Sequence, residues 1–172
     1  MNQAAMLDHA DNDGEGNVMR TVHIAADHAA FELREALVEH LKDSGYEVVD
    51  HGAYVYDALD AYPPMCIACG EAVVQDGENA LGIVLGGSGN GEQMAANLVD
   101  GVRAALVWNE STARLSREHN KANVISIGAR QHTIDEATRL VDIFLETPFS
   151  DDERHIERID MMAEYEATRC EG

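Results

Sequence analysis

Hydrophobic and polar positions alternate in two rhythms along this chain. Residues 21–26 form a short apolar run that predicts a strand. Phe31, Leu33, Leu37, Val38 and Leu41 then recur at helical spacing until Gly45 stops the pattern. Residues 46–49 predict a second strand. Pro63 and Pro64 can open a helix running through Val74, because proline is tolerated in a first turn. Residues 80–85 predict a third strand, followed by a glycine-rich segment and a helix over 92–98. Two further strands are expected at 103–107 and 124–127, with a helix over 111–118 between them. Residues 134–145 make an amphipathic helix, and a highly charged helix over 151–168 follows. Strands alternating with helices specify a three-layer α/β domain, here residues 19–168. It has a five-stranded parallel sheet, helices on both faces and a C-terminal helix. Ligands in such folds sit outside the carboxyl ends of the strands.

The first 18 residues fall outside this pattern. They hold Asp8, Asp11, Asp13 and Glu15 but no Lys or Arg, and read as a disordered acidic leader. A calcium loop is excluded by register: with Gly14 at the sixth position, the twelfth is Arg20 rather than Glu. The chain of 172 residues carries 12 Lys and Arg against 32 Asp and Glu, a net charge of −20. That balance argues against nucleic acid and anionic membrane surfaces as partners. No run of 18 apolar residues and no signal-peptide pattern occurs. Three cysteines make no disulfide framework, so a reducing cytoplasm is the expected setting.

The residues after each predicted strand carry the candidate chemistry. Asp27 and His28 follow the first; Asp27 suits a helix N-cap, an acid/base role, or both. Gly86-Gly87-Ser88-Gly89-Asn90-Gly91-Glu92 follows the third. Four glycines in six positions let backbone N–H groups turn inward at a helix start, where they can hold an anion or a developing oxyanion. The loop has no lysine for a Walker motif, and a dinucleotide fingerprint counted from Gly87 ends on Glu92 instead of glycine. Glu92 is either a first-turn charge or a general base aimed into the cradle. Ser116-Arg117-Glu118-His119-Asn120 precedes the fifth strand and Arg130 follows it. Arg154 and Arg158, four apart with His155 beside them, are either surface ion pairs or a phosphate clamp. Cys66 and Cys69 have redox spacing but fall inside a predicted helix among apolar residues, which favours packed, inert thiols. No His/Cys cluster has zinc spacing.

At these positions the sequence resembles the type B ribose-5-phosphate isomerases and their sugar-phosphate isomerase relatives, from about residue 19 to residue 165. The motifs are Asp27-His28-Ala29-Ala30-Phe31-Glu32-Leu33, Asp60-Ala61-Tyr62-Pro63, the glycine loop through Glu92, Ala95-Ala96-Asn97, Ser116-Arg117-Glu118-His119-Asn120, Gly128-Ala129-Arg130 and Arg154-His155. The resemblance implies a Rossmann-like homodimer that interconverts aldose and ketose 5-phosphates, a step of pentose phosphate metabolism, without metal or organic cofactor. It implies catalytic roles for Asp27 and His119 in ring opening, for Ser88 as the loop hydroxyl and for Glu92 as base. Substrate binding falls on His28, Gly87, Gly89, Asn90, Gly91, Asn120 and Arg130, and Arg154, His155 and Arg158 reach the partner subunit's site. Many members carry a cysteine base where this chain has Gly86; an actinobacterial branch instead has the glutamate found here at 92. Ala30 and Leu98-Val99-Asp100 depart from the common pattern.

Such a reaction needs a ring-opening acid and base, one base that moves a proton between C2 and C1, and N–H donors for the enediolate oxygen. The residues above supply each. The sugar stays open: ribose 5-phosphate leads, with allose 6-phosphate, galactose 6-phosphate and tetrulose 4-phosphates as alternatives. The other readings are a phosphate-binding module without catalysis and a thiol redox protein.

Overall fold

A computed structural model describes residues 20–169; the expected acidic leader and Cys170 lie outside the described residues. The elements are β1 (Thr21–Ala26), α1 (Phe31–Asp43), β2 (Glu47–Asp50), α2 (Tyr62–Asp76), β3 (Ala80–Gly86), α3 (Asn90–Ala96), β4 (Ala104–Leu106), α4 (Glu110–Glu118), β5 (Val124–Gly128), α5 (Ile134–Glu146) and α6 (Glu153–Arg169). All five strands are parallel, in the order β2-β1-β3-β5-β4. This is the expected three-layer α/β architecture.

Each central strand is apolar on both faces because helices cover both. Val22, Ile24, Leu81, Ile83, Leu85, Ile125 and Ile127 meet Leu33, Leu37, Leu41, Leu140, Val141 and Phe144 of α1 and α5. Ala25, Val84 and Val124 face Cys66, Cys69 and Val73 of α2 and Ala95 and Ala96 of α3. His23 is a buried polar residue in β1, satisfied by Asp76 at 3.1 Å and His51 at 3.0 Å.

The differences from expectation have local causes. α3 spans Asn90–Ala96 instead of 92–98: Gly89, at φ +81°, caps it. At its far end the Asn97 side chain exchanges two hydrogen bonds with the backbone of Ala104, which pins the chain to the edge strand. β4 is short because it pairs only with β5. α6 begins at Glu153, since Asp151 sits at φ +53°, outside helical space. Within α6 only His155 is buried. Ile156, Met161, Met162 and Tyr165 are exposed, so this helix buries little apolar surface against the rest of the chain.

Candidate active site

The strand order reverses between β1 and β3, and the segments leaving these two strands lie side by side there. Asp27 leaves β1; its backbone N–H donates to Leu85 O at 3.3 Å, and its Oδ1 accepts the Ala29 N–H at 2.9 Å. The expected cap is present, on a short 3-10 turn (His28–Ala30), and the Asp27 carboxylate is buried at the crevice.

The glycine loop leaves β3 and is stitched to the segment after β5. Gly86 O accepts from Ala129 N–H, Gly87 O from Arg130 N–H, and Gly89 O from the buried Ser126 hydroxyl at 2.7 Å. Gly89 needs its positive φ, and a Cβ there would press on Leu106. The Ser88 hydroxyl accepts from the backbone N–H and side-chain amide of Asn90.

Glu92, in the first turn of α3, is 4% exposed, and its Oε2 is buried without a hydrogen-bond partner. Burial raises its pKa above the usual carboxylate range, and the Asp27 carboxylate adds to this; backbone N–H groups of the loop pull the other way without winning. Glycine at 86 leaves the room Glu92 occupies: a Cβ there would overlap the Glu92 carboxylate.

A cleft of about 610 Å³ opens beside this crevice, walled by His28, Glu32, Tyr56, Arg130 and His132 among others. Asp60 holds His28: its Oδ1 accepts from the His28 backbone N–H at 3.0 Å and pairs with ring Nδ1 at 2.7 Å. Asp27, His28 and Asp60 are the one group of three metal-ligand types gathered within 4.8 Å among the described residues. Asp27 Oδ1 and Asp60 Oδ1 are already taken up by these donors.

The remaining residues lie elsewhere. α4 starts near the carboxyl end of β4 and runs back, so His119, at its C-terminal cap, sits ahead of β5. The length of β5, about 13 Å, separates the two ends of the sheet. Within one chain, therefore, the fold places Asp27 and His119 at opposite ends of the strands. His119 stacks on buried His155, ring centroids 4.3 Å apart, and Ser150 joins His155 Nδ1 at 2.8 Å. Burial holds the His155 pKa below the usual imidazole value, helped by His119, Arg154 and Arg158. Asn120 is exposed and donates to Leu115 O. Arg154 pairs with Asp152 at 3.2 Å, and Arg158 is exposed.

Cys66 and Cys69 are fully buried; burial pushes both thiols up, Cys69 to about 12. Neither can act as an exposed redox thiolate. The sequence assigns no role to Asp60, although it lies in one of the family motifs, and gives no signal for Tyr56 or His132, which also wall the cleft.

The family model described as "Ribose/Galactose Isomerase" matches residues 22–162. The chain belongs to this family. A curated ribose-5-phosphate isomerase B of Mycobacterium tuberculosis is 55% identical over 147 residues, 86% of this chain and 90% of the relative. A galactose-6-phosphate isomerase subunit LacB of Clostridium acetobutylicum is 35% identical, covering 83% of each. Among solved structures, the ribose-5-phosphate isomerase B of Mycoplasma genitalium with bound ribulose-5-phosphate superposes with a TM-score of 0.83 at 41% identity, covering 86% of this chain and 96% of that one. The parallel sheet and its flanking helices are thus the fold of a ribose/galactose isomerase. Among the described residues no helix is long and apolar enough to cross a membrane.

Proposed function

We propose that this chain is a cofactor-independent isomerase interconverting ribose 5-phosphate and ribulose 5-phosphate, acting in the cytoplasm as a homodimer with shared sites. The observation that carries the mechanism is the buried Glu92 carboxylate, with an unpartnered oxygen, at the end of the glycine loop. Ribose is favoured over galactose by the identities of 55% and 35% to the respective relatives.

Asp27 and the partner's His119 open the sugar ring by moving the proton between the ring oxygen and the C1 hydroxyl. Glu92 then takes the C2 proton of the open aldose, and the electrons pass to the C1 oxygen as an enediolate. N–H groups of Gly87, Gly89, Asn90 and Gly91 stabilise that oxygen. Ser88 passes the hydroxyl proton between O2 and O1, and Glu92 returns its proton to C1. Positioned acid/base catalysis supplies ~10²–10⁴-fold, and an oxyanion donor a further ~10²–10³-fold. A carboxylate with a raised pKa is a stronger base than a solvated one, which fits this task.

Arg130 and His28 of one chain, with the partner's Arg154, His155 and Arg158, hold the phosphate, and the partner's Asn120 borders the sugar. The shared arrangement is supported by the separation of the two groups across the sheet. The unpartnered apolar face of α6 supports it too. Trp108, Ile159, Met162 and Tyr165 line a groove of about 690 Å³ that a second copy can fill.

The test is exchange of the C2 hydrogen with solvent. Wild type should exchange it; Glu92→Gln should not, yet should still bind an open-chain hydroxamate analogue. Exchange by Glu92→Gln near the wild-type rate would reduce Glu92 to a first-turn charge.

A further inference from the structure

Asp60 stands at the end of the segment between β2 and α2, and nothing in the mechanism above uses it. One of its oxygens, Oδ1, meets both the backbone N–H of His28 at 3.0 Å and the ring Nδ1 at 2.7 Å. Its other oxygen, Oδ2, is buried without a partner. The carboxylate is therefore committed to His28. The Tyr56 ring stands nearly perpendicular to the same imidazole, with ring centroids 6.3 Å apart.

The geometry points to Asp60 as a positioning residue that locks the His28 ring and commits its Nδ1 proton, so that Nε2 is the nitrogen presented to the cleft. A carboxylate oxygen can only accept, so Nδ1 carries the hydrogen. The second bond, from the His28 backbone, ties the carboxylate to the same residue's main chain, which removes the freedom of ring and acceptor to move apart. Without Asp60 the ring can turn over and exchange its two nitrogens. Arg130 lines the same cleft, with its guanidinium against Gly87. The inference rests on reading this cleft as the phosphate end of the substrate site. It adds that His28 serves there only as half of a pair.

A double-mutant cycle tests it. Asp60→Ala should raise the KM for ribose 5-phosphate about tenfold, the order expected when one charge-assisted hydrogen bond is lost, with kcat within about twofold. Asp60→Asn, whose amide oxygen can accept the same two bonds, should recover most of the loss. Asp60→Ala with His28→Ala should be no worse than His28→Ala alone. Effects that multiply across the cycle would overturn the proposal. Inhibition by inorganic phosphate separates the two readings. If the cycle shows coupling but His28→Ala and Arg130→Ala bind phosphate as tightly as wild type, the pairing stands and the phosphate assignment falls. A measurement on the unmutated protein guards against misfolded variants. Nitrogen NMR of the His28 ring should find its proton on Nδ1, and a ring protonated on Nε2 alone would overturn the proposal.

Discussion

His119 stacks on His155 at 4.3 Å between ring centroids, and the two come from different elements, the end of α4 and the first turn of α6. The contact joins the end of α4 to the turn of α6 that carries Arg154, and Arg154 and Arg158 both act electrostatically on His155.

A hybrid experiment follows. A chain with Glu92→Gln and a chain with His119→Ala, Arg154→Ala and Arg158→Ala should each be inactive alone. Mixed one to one with subunit exchange, they should regain roughly a quarter of wild-type turnover, because half the dimers are hybrids with one intact site each. No recovery despite exchange verified by mass spectrometry would mean each chain builds its own site.

Glu92→Gln should also stabilise the fold. An acid whose pKa is raised by burial binds its proton more tightly folded than unfolded, so stability falls as pH climbs from the ordinary carboxylate range through the raised value. The glutamine removes that loss at neutral pH. Each ~1 kcal/mol released should read as about 2–4 °C in Tm. The difference between the two proteins should shrink as pH falls below the carboxylate range, where both side chains are neutral. In wild type the acid limb of kcat/KM should lie above the ordinary carboxylate pKa.

Gly86→Ala should be costly in two ways. The new methyl occupies the Glu92 carboxylate's place. Overpacking of this kind costs about 1–3 kcal/mol, and the displaced base should cut kcat by ~10² or more, the scale of positioned base catalysis. Adding Glu92→Ala should restore Tm but not turnover, which denaturation and kinetics together will show.

Arg130→Ala should raise both the KM for ribose 5-phosphate and the inhibition constant of inorganic phosphate, each by about ten- to a hundredfold, as expected for a lost charged fork. Unaltered phosphate inhibition in this variant and in Arg154→Ala and Arg158→Ala would place the phosphate elsewhere.

Alkylation of the native protein should leave Cys66 and Cys69 unmodified, since both are buried and held in the thiol form. Peptide mapping should find them labelled only after denaturation.

The strands were legible because each central run is apolar on two faces and bounded by turn residues, which leaves one element type and narrow bounds. The ends of α3 and α6 were not. Asn97 stops α3 through bonds to Ala104, and Asp151 leaves helical space; neither shows as a break in periodicity. Glu92 stood out because glycines concentrated ahead of it. Whether its helix position or its burial would win was undecidable from spacing alone, because burial depends on α2 and β3 closing around it. Asp60 and His28 lie 32 positions apart and meet only when β1 and the start of α2 come together. The His119–His155 stack depends likewise on where α6 begins.

The overlap between a side chain at 86 and the carboxylate at 92 couples two positions six residues apart. A larger residue at 86 fits only once the side chain at 92 shortens or turns away, so each position limits what the other can hold. Replacements at 86 and 92 should therefore be non-additive in stability, with the double change milder than the sum of the single ones.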